Sequence, residues 1–160
     1  MKKQFVLILA VLFFSVSRSM AQNDSIVSLP PITVMANTEV GTSVNNAFIK
    51  TFPDAMNVSW YKFDKDYLAR FIESDMDHNA LFKKNGVLKY DVSFGYAQNL
   101  PGDILKTVEA AYPDHQITRT FRVKEGERDI WVVNLEGIKN YVTARVENNE
   151  LEEVQRFNKS

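Results

Sequence analysis

The sequence predicts an α+β fold made of two tandem helix-plus-antiparallel-sheet (α-β-β-β-β) repeats. Two observations predict this class. Two short amphipathic segments each end at a Pro-Asp pair, Pro53-Asp54 and Pro113-Asp114. Each pair is followed by runs of alternating apolar and polar residues separated by turn residues, which is typical of antiparallel hairpins. We expect each helix to pack on one face of the sheet.

The composition is that of a globular protein with an aromatic core. Of the 160 residues, 45% are hydrophobic and 24% are charged, which indicates a folded chain rather than a disordered one. The eleven Phe, six Tyr and two Trp residues favour strands and large buried areas. Because the chain has no cysteine, disulfides, thiol catalysis and Cys-ligated zinc are excluded.

The first 21 residues have the pattern of a secretory signal peptide. Lys2 and Lys3 precede the apolar run 5–14, and Ser19 and Ala21 are small residues at the positions that a signal peptidase reads. An uncleaved membrane anchor is the alternative, but the apolar run is too short to span a bilayer comfortably. Cleavage leaves sixteen basic and twenty acidic residues, a formal charge of −4. We therefore predict a periplasmic or secreted protein with no stable membrane span after signal cleavage and no nucleic-acid partner.

Residues 22–42 are predicted to form an extended or flexible leader. Pro30-Pro31 forces an extended path, after which the alternation of residues 32–34 could form a short edge strand. The first repeat, residues 43–98, opens with a helix from the N-cap Ser43 to Phe52, where Pro53 ends it. The apolar stripe of this helix recurs every four residues and consists of Val44, Phe48 and Phe52.

Four strands complete the first repeat, at residues 57–63, 67–72, 80–83 and 87–94. Residues 73–78 are predicted to be a polar connection. Asn85-Gly86 is the strongest turn signal in the chain, because Asn and Gly tolerate the positive φ angles of a type I′ hairpin.

The second repeat, residues 99–160, has the same order of elements. Its helix starts near Pro101 and ends at Pro113, and strands follow at 117–123, 128–135, 139–147 and 150–157. An offset of 60 residues aligns the two Pro-Asp pairs, and an offset of 64 aligns Tyr67 with Trp131. We interpret this order as a structural duplication, with residues 43–160 forming one globule.

A set of aromatic, proline and asparagine residues stands at corresponding places in the two segments. In the first they are Phe48, Phe52-Pro53-Asp54-Ala55, Val58, Trp60, Tyr67, Phe71 and Asn85-Gly86, and in the second Tyr112-Pro113, Trp131 and Asn148-Asn149. With these residues, residues 44–157 resemble the PepSY-like, beta-lactamase-inhibitor-like family of secreted bacterial proteins. The second segment departs from the pattern, because His115 stands where the first segment has Ala55. The resemblance implies an α+β fold and a non-enzymatic binding or inhibitory module, and it supplies no catalytic motif.

The sequence contains no recognisable catalytic constellation. It has no G-x-S-x-G elbow, no phosphate-binding glycine loop and no calcium loop. Asp75, Asp77 and His78 are neighbours in an extended run and rarely converge on one ion, so we interpret them as a polar loop. His115 is interpreted as a loop residue or a weak helix cap. We predict that the protein is not an enzyme and binds no metal or cofactor.

Aromatic residues are the candidates for partner binding. A sheet covered by helices on one face leaves its other face to water or to a partner. The predicted partner-binding residues are Trp60, Tyr61, Phe63, Tyr67 and Trp131. Alternation places Trp60 opposite to Tyr61 and Phe63 without deciding which set faces away from the helix, and burial of most of them in the core is the alternative.

The function predicted from these observations is a protein-binding or inhibitor-like module whose partner is another envelope or secreted protein. Two other classes stay open at this stage. One is a small-ligand or envelope-stress binding protein that holds its ligand between sheet and helices, and the other is a purely structural domain of an envelope assembly.

Overall fold

One antiparallel sheet carries all the strands that the computed structural model describes, in residues 34–36 and 38–160. The predicted signal peptide, residues 1–21, and the first part of the predicted leader lie outside these residues. The strands are β1 (Val34–Ala36), β2 (Met56–Phe63), β3 (Asp66–Glu73), β4 (Met76–Phe82), β5 (Leu88–Gly95), β6 (His115–Glu125), β7 (Arg128–Gly137), β8 (Asn140–Glu147) and β9 (Glu150–Asn158). The helices are α1 (Thr42–Thr51) and α2 (Gly102–Ala111), and a 3-10 turn spans Ala97–Asn99.

The sheet corrects the predicted fold class. Two tandem helix-plus-sheet repeats are the wrong description, because β5 pairs with β6 and joins both sets of strands into a single sheet. Across this seam Val92 lies opposite Val123, and Phe94 lies opposite Phe121. Each strand pairs only with its neighbours in sequence, so the sheet is a nine-stranded meander. The interpretation of the repeated element order as a structural duplication is not supported by this architecture.

Both helices pack on the same face of the sheet, which we call the helix face. The pairing registers place Phe71, His78, Ser93, Arg122 and Trp131 in one row across β3 to β7 on this face. Phe71 belongs to the core under α1, whereas Trp131 belongs to the core under α2. The helix face therefore has two apolar cores, and the polar middle of this row lies between them.

The core under α1 is aromatic. The Phe48 ring lies 5.1 Å from the ring of Trp60 and 5.1 Å from that of Phe71, both edge-on, and Phe52 lies 4.6 Å from Phe71. Edge-to-face pairs of this kind contribute about 0.5–1.5 kcal/mol each beyond the burial of their area. These contacts place Trp60 on the helix face, and Tyr61 and Phe63 therefore lie on the opposite face, a choice that the sequence pattern did not determine.

Two turns differ from the predictions for the first segment. The predicted connection 73–78 is a two-residue turn, because Ser74 and Asp75 both have positive φ, and β4 already begins at Met76. At the Asn85-Gly86 turn only Gly86 has a positive φ, of 87°, and its N–H donates to the Lys83 carbonyl at 2.8 Å. This is a turn closed by a left-handed glycine rather than a type I′ turn.

The helix ends lie close to the predicted ones. Helix α1 begins at Thr42 with Gly41 as its N-cap, two residues before the predicted N-cap Ser43. The carbonyl of Pro101, at the N-cap of α2, accepts the Leu105 N–H at 2.9 Å. Within the described ranges, neither helix is both long and apolar enough to cross a membrane.

Candidate functional site

The sheet face opposite the helices, which we call the open face, is not covered by any described helix. The registers bring apolar or aromatic side chains of β2 to β7 together on it, and ten of them are Tyr61, Leu68, Leu81, Tyr90, Val92, Phe94, Phe121, Val123, Ile130 and Val132. Nine of these ten are half-buried, and Leu81, which lies between Leu68 and Tyr90, is only 3% exposed. A contiguous apolar surface of this kind is typical of an interaction site.

Aromatic rings occupy the centre of the open face. Phe94 and Phe121 face each other across the β5–β6 seam with their ring centroids 5.5 Å apart and nearly perpendicular. At the end of this seam the Arg119 guanidinium lies 4.4 Å from the centroid of the Tyr96 ring. Aromatic and arginine side chains dominate the energetic centres of protein interfaces, because the rings bury large areas and the guanidinium offers several hydrogen-bond donors.

A depression of about 560 Å³ lies at the β2–β4 side of the open face. Its lining includes Tyr61 and Phe94 together with Arg70 and Asp77, two exposed charged residues on neighbouring strands. Charged and aromatic groups are therefore presented side by side in one concave area.

The opposite side of the open face holds charges that pair with each other. Arg128 Nε donates to Glu147 Oε1 at 2.8 Å, and Arg145 Nη2 donates to Glu152 Oε2 at 2.7 Å. The hydrogen bond from Arg128 holds the pKa of Glu147 below its ordinary value. These exposed pairs form a polar border to the apolar centre, as at the rim of an interface.

The five predicted partner-binding residues divide between the two faces. Tyr61 and Phe63 lie on the open face, whereas Trp60, Tyr67 and Trp131 lie on the helix face. Trp131 is 3% exposed and belongs to the core under α2. The partner-binding role of the five residues stays a prediction.

The predicted set omits Tyr90 and Phe94, two open-face aromatic residues of β5. The signal that points to them is the alternation of residues 90–94, in which Tyr90, Val92 and Phe94 share one side and Asp91 and Ser93 share the other. Tyr90 and Phe94 lie near the middle of the open face only because β5 pairs with β6.

A buried polar pair on the helix face corrects the interpretation of His78 as a loop residue. His78 lies in β4, and its Nδ1 is 3.0 Å and 3.1 Å from the two carboxylate oxygens of Asp91 on β5. The side chains are 10% and 4% exposed, and the His78 ring stacks on Phe71 at 4.8 Å. The partner that makes this burial tolerable is thirteen residues away in sequence, so the local pattern did not indicate it.

The arrangement around His78 is not a nucleophile–base pair. Ser93 lies directly opposite His78 on the neighbouring strand, but Ser93 Oγ has no hydrogen-bond partner. An activated serine requires a hydrogen bond to its base. Within residues 38–160, no three His, Asp or Glu side chains are grouped so that they could hold a metal ion.

No family model and no curated protein sequence matches the chain. Solved structures do match. A BLIP-like protein from Bacteroides fragilis has a TM-score of 0.58 and 15% identity over 76% of this chain and 87% of its own. A DUF2874 family protein from Bacteroides uniformis has a TM-score of 0.54 and 16% identity over 75% of this chain and 90% of its own.

A further match is a protein of Bacteroides eggerthii that is described provisionally as periplasmic, with a TM-score of 0.54 and 16% identity over 76% of this chain and 90% of its own. At these identities the similarity establishes a shared fold. The fold is thus that of BLIP-like and DUF2874 proteins, which agrees with the beta-lactamase-inhibitor-like part of the resemblance. None of these descriptions names a PepSY-like protein.

Proposed function

We propose that the protein is a periplasmic or secreted, non-enzymatic module that binds another envelope or secreted protein through the open face of its sheet. The observation that carries this proposal is the contiguous apolar and aromatic surface from Tyr61 on β2 to Val132 on β7, which no described helix covers. The N-terminal signal pattern and the fold shared with a provisionally periplasmic protein support the location.

The layout of this face suits a protein partner better than a small molecule. The aromatic centre around Phe94 and Phe121 is bordered by paired charges such as Arg128 and Glu147, and interfaces commonly combine an apolar core with a polar rim. A drug-sized ligand would instead need a deep apolar pocket that buries most of its surface. The fold shared with a BLIP-like protein supports an inhibitory form of binding, with the partner to be identified.

Site-specific photo-crosslinking tests the proposal. A benzophenone amino acid is placed at Phe121 on the open face or, as the matched control, at Ile49, which is 56% exposed on α1. Both variants are expressed with their signal in the native bacterium and irradiated. We expect one discrete crosslinked protein from position 121 and none from position 49. Equal crosslinking from both faces, or crosslinking from position 49 alone, contradicts the proposal.

The crosslinked protein, once purified, allows an affinity measurement. Phe121→Ser removes an aromatic ring from the centre of the surface and should weaken binding by at least about 30-fold, because such central anchors contribute about 2 kcal/mol or more. Ile49→Ser should leave the dissociation constant unchanged. Circular dichroism of both variants separates loss of binding from loss of the fold.

The small-ligand alternative requires an apolar cavity of a few hundred Å³ between sheet and helices. In the described part of the chain, the cavity beside α1 has a volume of about 170 Å³, and its lining mixes apolar residues such as Phe52 and Leu88 with charged and hydroxyl residues such as Glu73 and Ser93. It is therefore smaller and more polar than the apolar cavity that this alternative requires.

A further inference from the structure

We propose that the crevice beside the C-terminal end of α1 binds a small organic cation through an ammonium group. This site lies on the helix face, and it is independent of the open face and of the function proposed for it. The crevice has a volume of about 170 Å³, and its lining includes Thr51, Phe52, Glu73, Asp91, Ser93 and Lys124. A methylammonium group or a short alkylammonium ion fits this volume.

Two buried polar atoms of the crevice have no hydrogen-bond partner within the protein. One is Oε1 of Glu73, and the other is Oγ of Ser93, a residue that is 0% exposed. Buried polar atoms are nearly always hydrogen-bonded. The two unpaired atoms in this crevice therefore require a structural explanation. A carboxylate oxygen can only accept a hydrogen bond, and a hydroxyl can accept one as well. A ligand with several N–H donors satisfies both atoms at once.

The end of α1 adds a negative potential to the same crevice. Thr51 is the last residue of the helix, and Phe52 is its C-cap. The last carbonyl groups of a helix lack intrahelical donors and carry the negative end of the helix dipole, which favours a cation. Thr51 and Phe52 both line the crevice, so this negative potential acts near the unpaired oxygens of Glu73 and Ser93.

The charged side chains that line the crevice are two acidic and two basic residues. Asp91 and Glu73 are acidic, and Asp91 is held in place by His78. Arg122 also lines the crevice, but its guanidinium donates to both carboxylate oxygens of Asp129, at 2.8 and 2.5 Å, which neutralises its charge. Lys124 also lines the crevice, and its positive charge repels a cationic ligand. Removal of this charge should therefore strengthen the binding of the cation.

The test uses residues 22–160 labelled with ¹⁵N and three probes at equal ionic strength. Methylammonium chloride supplies charge and N–H donors, tetramethylammonium chloride supplies charge without donors, and sodium acetate supplies an anion. We expect saturable amide shifts at Glu73, Ser74 and Ser93 with methylammonium alone. The absence of saturation, equal shifts with tetramethylammonium, or shifts with acetate alone would overturn the proposal.

Three variants assign the binding to the crevice. Glu73→Gln should weaken methylammonium binding by about 10-fold, because the acceptor loses its negative charge and the charge-assisted hydrogen bond becomes a weaker neutral one. Lys124→Gln should strengthen it by about 2- to 5-fold, because a like charge is removed. Glu109→Gln, on the exposed side of α2, is the matched control and should have no effect. Should Glu73→Gln fail to fold, Lys124→Gln still decides, since an unchanged or weakened affinity contradicts the proposal.

Discussion

Replacement of Phe48 by alanine tests whether the two apolar cores belong to one cooperative unit. Phe48 is 4% exposed and contacts the rings of Trp60 and Phe71, each at 5.1 Å, so its removal leaves a cavity in the core under α1. Large-to-small substitutions of buried Phe cost about 3–5 kcal/mol of the free energy of unfolding. The higher helix propensity of alanine returns only about 0.5 kcal/mol. A net loss of roughly 3–4 kcal/mol is expected.

The chain contains its own reporters for this experiment. Of its two tryptophans, Trp60 packs in the core under α1 and Trp131 in the core under α2. Incorporation of 5-fluorotryptophan gives one ¹⁹F resonance for each core, and urea unfolding is followed at both. Because the sheet is continuous through the β5–β6 seam, Phe48→Ala should lower the midpoint at both tryptophans equally, by at least roughly 1 M urea.

The matched control is Ile49→Ala, the next residue on the same helix, which is 56% exposed. It should change the free energy of unfolding by no more than about 0.5 kcal/mol. A lower midpoint at Trp60 with an unchanged midpoint at Trp131 would refute the reasoning, because it would mean that the two halves unfold independently. So would a loss below about 1 kcal/mol for Phe48→Ala, since the ring would then not be a central packing element.

Two further predictions concern a turn and an ion pair. Gly86→Ala should cost at least about 1–3 kcal/mol, because φ is +87° and a Cβ atom would lie 2.6 Å from the Ser43 carbonyl oxygen. Gly102→Ala, with nothing within 4 Å of the new methyl group, should instead stabilise α2 by about 0.4–1 kcal/mol in the same urea assay. Arg128→Gln should raise the pKa of Glu147 toward the ordinary carboxyl value in an NMR pH titration, and an unchanged pKa would show that the hydrogen bond is not its cause. The pair is exposed, so the free energy of unfolding should change little.

The sequence was most informative where short-range chemistry decides the structure. Pro53 and Pro113 marked the ends of the helices, since proline cannot continue a helix. Alternation gave most of the strands, because a half-buried strand requires it. The start of β4 was missed because the polar run 73–78 contains His78, whose burial depends on Asp91 on another strand.

The features that the sequence did not predict depend on pairing between residues that lie far apart in the chain. Nothing in the residues around 92–94 or 121–123 indicates that β5 and β6 pair across an intervening helix, and this pairing turns two expected sheets into one. The same pairing assembles the candidate site, because Phe94 and Phe121 become neighbours only when the seam closes. The face taken by Trp60 depended on its contact with Phe48, which periodicity cannot supply.

The meander order of the sheet has a consequence for how fast the protein folds. Nearly every strand pairing is a hairpin whose closure spans a few residues, so the corresponding contacts form with a small loss of chain entropy. Two pairings are exceptions, because β1 ends at Ala36 and β2 begins at Met56, and the β5 and β6 strands are separated by residues 96–114. Of these two long-loop closures, the β5–β6 closure is the one that joins the strands of the two apolar cores. We expect it to limit the refolding rate, so that substitutions at the seam slow refolding while those in the outer hairpins mainly speed unfolding.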